Sequence, residues 1–229
     1  MDYQVVVLAA GQGRRMGAGE NKVLLDLAGA PVIVHTLRVF ETDPSCKGIV
    51  LVTRDDEKEQ FRALVEDYRL KKVRTFAEGG KERQESVRSG LAVIKMDQKE
   101  IVLIHDGARP FITHREIATV TEAAAESGAA LLAVPVKDTI KQVADFTVER
   151  TLERKSLWAA QTPQAFRLFL IRRAHQESLE THFMGTDDVS LVEQMGLPVK
   201  IVEGSYRNIK LTTPEDLVIA QTFLQRGEE

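Results

Sequence analysis

The segment Val5-Val6-Val7-Leu8-Ala9-Ala10-Gly11-Gln12-Gly13-Arg14-Arg15-Met16 constrains the fold more than any other. An apolar run without polar alternation describes a strand covered on both faces, and such strands belong to parallel sheets wrapped by helices. Gly11 and Gly13 then free the backbone to turn at the strand end. A strand that passes through a glycine turn into a helix points several backbone N–H groups outward. Arg14, Arg15 and Lys22 surround that turn with positive charge. Two glycines alone could serve backbone geometry only; with three cations beside them they make a cradle for phosphate.

Further apolar runs repeat the pattern. Val5 to Ala9, Ile49 to Val52, Ile101 to Ile104 and Ala129 to Val134 read as buried strands. Arg62 to Tyr68, Glu85 to Lys95 and Glu116 to Glu126 have the spacing of one-sided helices; Thr113 with Glu116 forms a capping box, and Thr213-Pro214-Glu215 starts a last helix. The alternation predicts one α/β domain over residues 1–229, Rossmann-like, with a mostly parallel sheet. In such sheets ligands collect at the carboxyl ends of the strands. Lys137 to Lys155 breaks the pattern: β-formers and charges mix without helical period, which predicts a protruding β-arm.

The type of phosphate loop follows from what is missing. No Gly-x-x-x-x-Gly-Lys-Ser/Thr string occurs, and Met16 occupies the third-glycine place of a dinucleotide fingerprint. A second constellation, Ile104-His105-Asp106-Gly107-Ala108-Arg109-Pro110-Phe111, follows a buried strand. Its aspartate can accept ribose hydroxyls or help hold magnesium, which prefers one or two carboxylates plus phosphate oxygens; it can equally cap a turn. A third, Gly79-Gly80-Lys81-Glu82-Arg83-Gln84-Glu85-Ser86-Val87, puts glycines before a helix start.

Leu-Ala-Ala-Gly-x-Gly-x-Arg-Met followed by lysine resembles the signature of nucleotidyltransferases that join a nucleoside triphosphate to a phosphorylated sugar or polyol. With Gly-Gly-x-Glu-Arg-x-x-Ser-Val, His-Asp-x-Ala-Arg-Pro-Phe, Pro-Val-Lys-Asp-Thr, Gln-Thr-Pro-Gln-Ala-Phe and Asn-Ile-Lys-Leu-Thr-x-Pro-Glu-Asp-Leu, the chain resembles the 2-C-methyl-D-erythritol 4-phosphate cytidylyltransferases from Val5 to Leu217. The resemblance implies that Ala9, Ala10, Gly11 and Gly13 wrap CTP, that Arg15 and Lys22 stabilise charge on the triphosphate, and that Gly80 and Ser86 form the base-side loop. Asp106 and Gly107 fall on the ribose and metal side, with magnesium held mainly by the CTP phosphates. Asp106, Arg109, Arg154, Thr186 and Lys210 match acceptor-holding residues, Arg154 and Lys210 among the catalytic ones. The 137–155 arm resembles one exchanged across a homodimer, with Arg154 serving the neighbouring site. Lys81 and Gly107 stand where members often carry aspartate and alanine, so no side-chain contact is carried over there. A cyclodiphosphate synthase domain, fused to some members, is not expected in 229 residues.

Composition narrows the alternatives. A net charge of −3 argues against a general nucleic-acid binder, and no apolar run reaches the ~20 residues of a membrane span. Met1-Asp2-Tyr3-Gln4 lacks the basic start of a signal peptide, and the lone Cys46, placed in a loop, cannot form an internal disulfide, so a cytoplasmic enzyme is expected. No Ser-His-Asp or Cys-His arrangement is apparent, and His35, His105, His114, His175 and His182 show no metal-ligand spacing. His175 and His182 are expected on one solvated helix face, and Trp158 in the core. The closest competitor is a cytidylyltransferase for another polyol phosphate such as ribitol 5-phosphate. A non-catalytic nucleotide-binding module would need no acceptor site and has no use for Arg154, Thr186 and Lys210.

Overall fold

The computed structural model describes residues 1–11, 21–95, 97 and 99–225. Gly13 and Arg15 lie outside them. The chain runs through β1 (Tyr3–Leu8), a small ribbon of β2 (Asp26–Leu27) and β3 (Ala30–Pro31), α1 (Val32–Thr42), β4 (Cys46–Thr53), α2 (Lys58–Asp67), β5 (Val73–Glu78), α3 (Arg83–Val93) and β6 (Ile101–Asp106). It continues with α4 (His114–Ser127), β7 (Ala129–Pro135), β8 (Lys141–Ala144), β9 (Thr147–Thr151), β10 (Trp158–Arg167), α5 (Leu168–Glu180), α6 (Asp188–Gln194), β11 (Lys200–Glu203) and α7 (Pro214–Gln225). Seven strands form one sheet in the order β11-β7-β10-β6-β1-β4-β5. All its pairings are parallel except those of β10, which runs against both β6 and β7. The four apolar runs are β1, β4, β6 and β7, so the mostly parallel α/β expectation holds.

Residues alternate between two cores, which explains the unbroken apolar runs. Val5 and Val7 face a core shared with Ile33, Leu37 and Phe40 of α1 and Ile117 and Val120 of α4; Val6 between them faces Val87 and Leu91 of α3 and Ile171 of α5. The Thr113–Glu116 capping box is present, and Pro214 opens α7. The chain first builds outward from β1 to β4 and β5, then returns to place β6 on β1's other side. The crevice at such a reversal lies beyond the carboxyl ends of β1 and β6. Leu8 and Asp106 pair there in register, and the Gly107 amide donates to the Leu8 carbonyl at 2.9 Å.

Three expectations change. His175 is buried inside α5, whose inward stripe Leu168, Ile171, Ala174, His175 and Ser178 follows helical spacing, while His182 lies past the helix end with φ +54°. Cys46 opens β4 and is buried, where desolvation pushes its thiol up to about 11. Trp158 is half-exposed, because the first residues of β10 run past the covered part of the sheet, opposite Pro135. The 137–155 segment holds the antiparallel hairpin β8–β9, every strand residue of which is exposed.

Helix α3 approaches the sheet closely at Gly90: a Cβ there would stand 2.5 Å from Val6 Cγ1 and 3.0 Å from Val52 Cγ2. Overpacking of this kind costs about 1–3 kcal/mol, against a gain of at most about 1 kcal/mol in helix propensity. Gly90→Ala is therefore expected to lower the urea midpoint, and a variant as stable as the parent would show that the contact yields freely.

Candidate active site

Two clefts meet beyond the strand ends. The larger, of about 640 Å³, is lined by the first loop (Ala10, Gly11), Lys22, Arg54, the Gly79–Lys81 turn, Ser86, Gly107 and neighbours. The smaller, of about 270 Å³, is lined by Arg109, Gln161, Thr162, Gln164, Thr186, Asp187 and others. Arg83, Asp106 and Lys210 line both.

The larger cleft is shaped by close backbone approach. A Cβ on Gly79 would come within 2.3 Å of the Ala10 Cβ, so only glycine lets this turn lie against the first loop. Ser86 Oγ accepts from the Gly80 amide at 3.1 Å and donates to the Glu82 carbonyl at 3.2 Å, while Glu85 takes the Lys81 amide at 2.8 Å. Glu82 and Glu85 form the capping box of α3. At the far side, Asn21 Nδ2 donates to the Ala9 carbonyl at 2.6 Å and to Glu57 at 2.9 Å, holding the start of the Lys22–Leu24 turn against the end of β1.

At the junction one carboxylate faces three cations. Asp106 Oδ2 lies 2.7 Å from Lys210 Nζ and 3.9 Å from Arg109 Nε; its Oδ1 lies 3.4 Å from Arg83 Nε. Burial alone would push the Asp106 carboxyl up, but Arg83, Lys210 and Arg109 together hold it well below the usual carboxylate range. A neutral-imidazole relay fixes its backbone. His105 Nε2 donates to the Arg109 carbonyl at 3.0 Å, Thr162 Oγ1 donates to His105 Nδ1 at 3.2 Å, and the Asp106 amide donates to Thr162 Oγ1 at 3.0 Å. Burial pushes His105 down to about 4 against the opposing hydrogen bond to Arg109, which keeps the ring neutral. Asn208, fully buried, donates to the Thr162 carbonyl at 2.9 Å and to Gln161 at 3.2 Å, and its own carbonyl takes Arg109 Nη1 at 2.6 Å. These bonds set the loop from which Lys210 reaches Asp106.

Of the residues expected from sequence, Ala10, Gly11, Lys22, Gly80, Ser86, Asp106 and Gly107 line the larger cleft, and Asp106, Arg109, Thr186 and Lys210 the smaller. Ala9 does not: its side chain is in the core, and only its carbonyl takes part, through Asn21. Arg154 lines neither cleft of its own chain; it sits at the hairpin base with Nη1 on the Lys137 carbonyl at 2.9 Å. Sequence reasoning passed over Arg83, which stood inside the quoted Gly-Gly-x-Glu-Arg string, and Asn208, two residues before Lys210. Gln164 stood inside the quoted Gln-Thr-Pro-Gln-Ala-Phe string without a role being assigned to it, and Asp188 carried little signal, being a polar residue beside a short apolar stretch.

A strand-end cleft with glycine turns on one side, a smaller polar lobe on the other and clustered cations between them is the arrangement of a nucleotidyltransferase of Rossmann-like fold. The comparisons with known proteins narrow this. The family model described as IspD, 2-C-methyl-D-erythritol 4-phosphate cytidylyltransferase, matches residues 3–226. Relatives of that name from Geobacillus thermodenitrificans and Bacillus velezensis are 57% and 54% identical, each over 98% of this chain and 97% of its own length. The crystal structure of a 4-diphosphocytidyl-2C-methyl-D-erythritol synthase from Anaerococcus prevotii superposes with TM-score 0.86 at 32% identity, covering 98% of this chain and 96% of that one. The chain belongs to the 2-C-methyl-D-erythritol 4-phosphate cytidylyltransferase family and is an enzyme of that class; an acceptor such as ribitol 5-phosphate is not favoured.

The site has an acid signature. Since burial holds folded His105 at about 4, below the ordinary value of about 6.5, the unfolded chain takes up that proton first as the pH falls. The His105 contribution is full above about pH 6.5 and is lost on the way down to about pH 4. Asp106, held low in the folded state, adds a further loss below about pH 4. Thermal melts across this range should show the first slope in the parent and a shallower one in His105→Gln. Equal slopes would remove His105 as its source.

Proposed function

We propose that the larger cleft holds CTP and the smaller holds methylerythritol phosphate, so that the acceptor's phosphate oxygen attacks the α-phosphorus in line. A new phosphorus–oxygen bond forms, the α–β bridge breaks, and pyrophosphate leaves with the electron pair. Cytidylyl transfer itself follows from family membership; the division of labour is what the geometry supports. The observation that carries it is the junction, where Arg83, Asp106 and Lys210 line both clefts. Two polyanions meeting there build negative charge on the bridging and leaving oxygens, and fixed cations are the strongest stabilisers a protein can set against it. No side-chain nucleophile is needed, because a phosphate monoester already carries an ionised oxygen near neutral pH.

Lys22 and, from sequence, Arg15 serve the triphosphate. Arg109 and Thr186 serve the acceptor: both line the smaller cleft, Arg109 with a positive charge suited to a phosphate and Thr186 with a hydroxyl. A magnesium ion fits as a passenger of the nucleotide. Among the described residues no three acidic, His or Cys side chains converge on a metal site, whereas Asp106 supplies the single carboxylate that an ion held mainly by phosphates requires. Such an ion neutralises charge on the triphosphate.

The hairpin completes the reading. Phe146, Val143 and Val148 are exposed on it, and an isolated two-stranded hairpin has no core to bury them. A second copy in a two-fold homodimer would cover these side chains and bring Arg154 to the neighbouring site. No helix among the described residues is long and apolar enough to cross a membrane; with a single cysteine in the sequence, this is in keeping with a cytoplasmic enzyme.

Lys22→Ala is expected to cut kcat by about 10²-fold, the scale of losing one transition-state donor. Thr186→Val, which touches the smaller cleft only, should raise the acceptor KM while leaving CTP affinity within a few-fold. Loss of CTP binding in Thr186→Val would contradict the assignment of the clefts.

Two inactive variants test the shared site. If Arg154 acts in trans, mixing Lys22→Ala with Arg154→Ala under subunit exchange gives each mixed dimer one intact site, and activity returns. Proven exchange with no recovery would place Arg154 in its own chain's site.

A further inference from the structure

Arg83 is the first residue of α3 and is gripped by two carboxylates from different parts of the fold. Its Nη1 donates to Asp188 Oδ2 at 2.6 Å, and its Nε approaches Asp106 Oδ1 at 3.4 Å. The two grips are unequal. The bond to Asp188 is short and charge-assisted, and Asp188 is only 1% exposed, lining neither cleft. A buried carboxylate is tolerated only when paired, so Asp188 and Arg83 hold each other.

The anchor itself is rigid. Gln164 Oε1 on β10 accepts the amides of Asp188 and Val189 at 3.0 and 3.2 Å, its Nε2 donates to Asp187 at 2.7 Å, and Asp187 caps α6 by accepting from the Ser190 amide at 3.0 Å. Asp188 is thereby tied to the central sheet rather than to a loop. Arg83 Nη2 makes no hydrogen bond among the described residues, and the side chain faces both clefts. A phosphoryl group arriving at the junction can take over the long Asp106 contact and the remaining donors while the Asp188 bond keeps the guanidinium in place.

We propose that Arg83 is a further residue of the transfer, donating to the phosphoryl group where the two clefts meet, and that Asp188 is the positioning residue that holds it there. This rests on the assignment of the two clefts to donor and acceptor. Arg83 then supplies a planar fork of donors to oxygens whose charge rises during the reaction, a task for which a point charge is a poor substitute.

The test is a double-mutant cycle on Arg83→Gln and Asp188→Asn, with Arg83→Lys alongside, read by steady-state kinetics, CTP binding without acceptor, and thermal melts. Arg83→Gln is expected to lose about 10²-fold in kcat with both KM values within a few-fold. It should melt below the parent because it leaves Asp188 buried without its cation, a loss that the double variant should partly restore. Arg83→Lys should recover part of the loss. Asp188→Asn keeps an oxygen acceptor but drops the charge, so roughly a tenfold fall in kcat is expected. The double variant should be no worse than Arg83→Gln alone, because Asp188 acts through Arg83. Near-parental kcat in Arg83→Gln overturns the assignment, and additive losses in the double variant overturn the role of Asp188. If Asp188→Asn melts far below the parent, Asp188→Ser replaces it in the cycle. Thr186→Val run in parallel reports on the clefts separately: an acceptor-only defect there with an unaffected Arg83→Gln sinks this inference and leaves the cleft assignment standing.

Discussion

One ionised carboxylate opposite three cations is the interaction on which the site depends. Asp106 sits at the carboxyl end of β6, and Lys210, Arg83 and Arg109 reach it from three separate parts of the chain. Without Asp106 three positive groups would repel one another in a half-buried space. With it they stay close enough to receive two polyanionic substrates and still leave the junction positive. The β1–β6 pairing, the His105–Thr162 relay and the Asn208 bonds all serve to fix this carboxylate and the segments that carry its partners.

The reversed strand β10 explains how the smaller cleft is built. In a fully parallel sheet every strand would end at the site and contribute a loop. β10 begins there, so Gln161, Thr162 and Gln164 enter the wall from within a strand and are buried by the sheet on either side. Each finds a partner: Gln161 and Thr162 on Asn208 and His105, Gln164 on α6. Buried polar groups of this kind are tolerated when bonded and rigidify what they touch.

This same strand marks the limit of what the sequence revealed. β1, β4, β6 and β7 were legible because burial on both faces demands an unbroken apolar run, and α4 and α7 because caps and proline leave local marks. β10 reads Trp-Ala-Ala-Gln-Thr-Pro-Gln-Ala-Phe-Arg, and its polar centre is explained only by partners far away in the chain. α1 begins with Val-Ile-Val and no side-chain cap, so nothing local distinguishes it from a strand. In the site, Lys22, Asp106 and Lys210 belonged to recognisable strings, whereas Asp188 acquires meaning only from an arginine 105 residues earlier. The histidines went the same way: His175 looked like a surface residue until α5 was seen to turn it inward.

The two clefts draw on different stretches of the chain. Apart from Lys210, the larger is assembled from residues up to Ala108; apart from Arg83, Asp106 and Arg109, the smaller comes from Ala160 onward. Inheritance can therefore act on them separately. Substitutions along β10 and the α5–α6 connection can reshape the smaller cleft while the glycine turns of the larger stay as they are. Only the three shared side chains must descend together, for a change in any one of them alters both halves of the bargain at once.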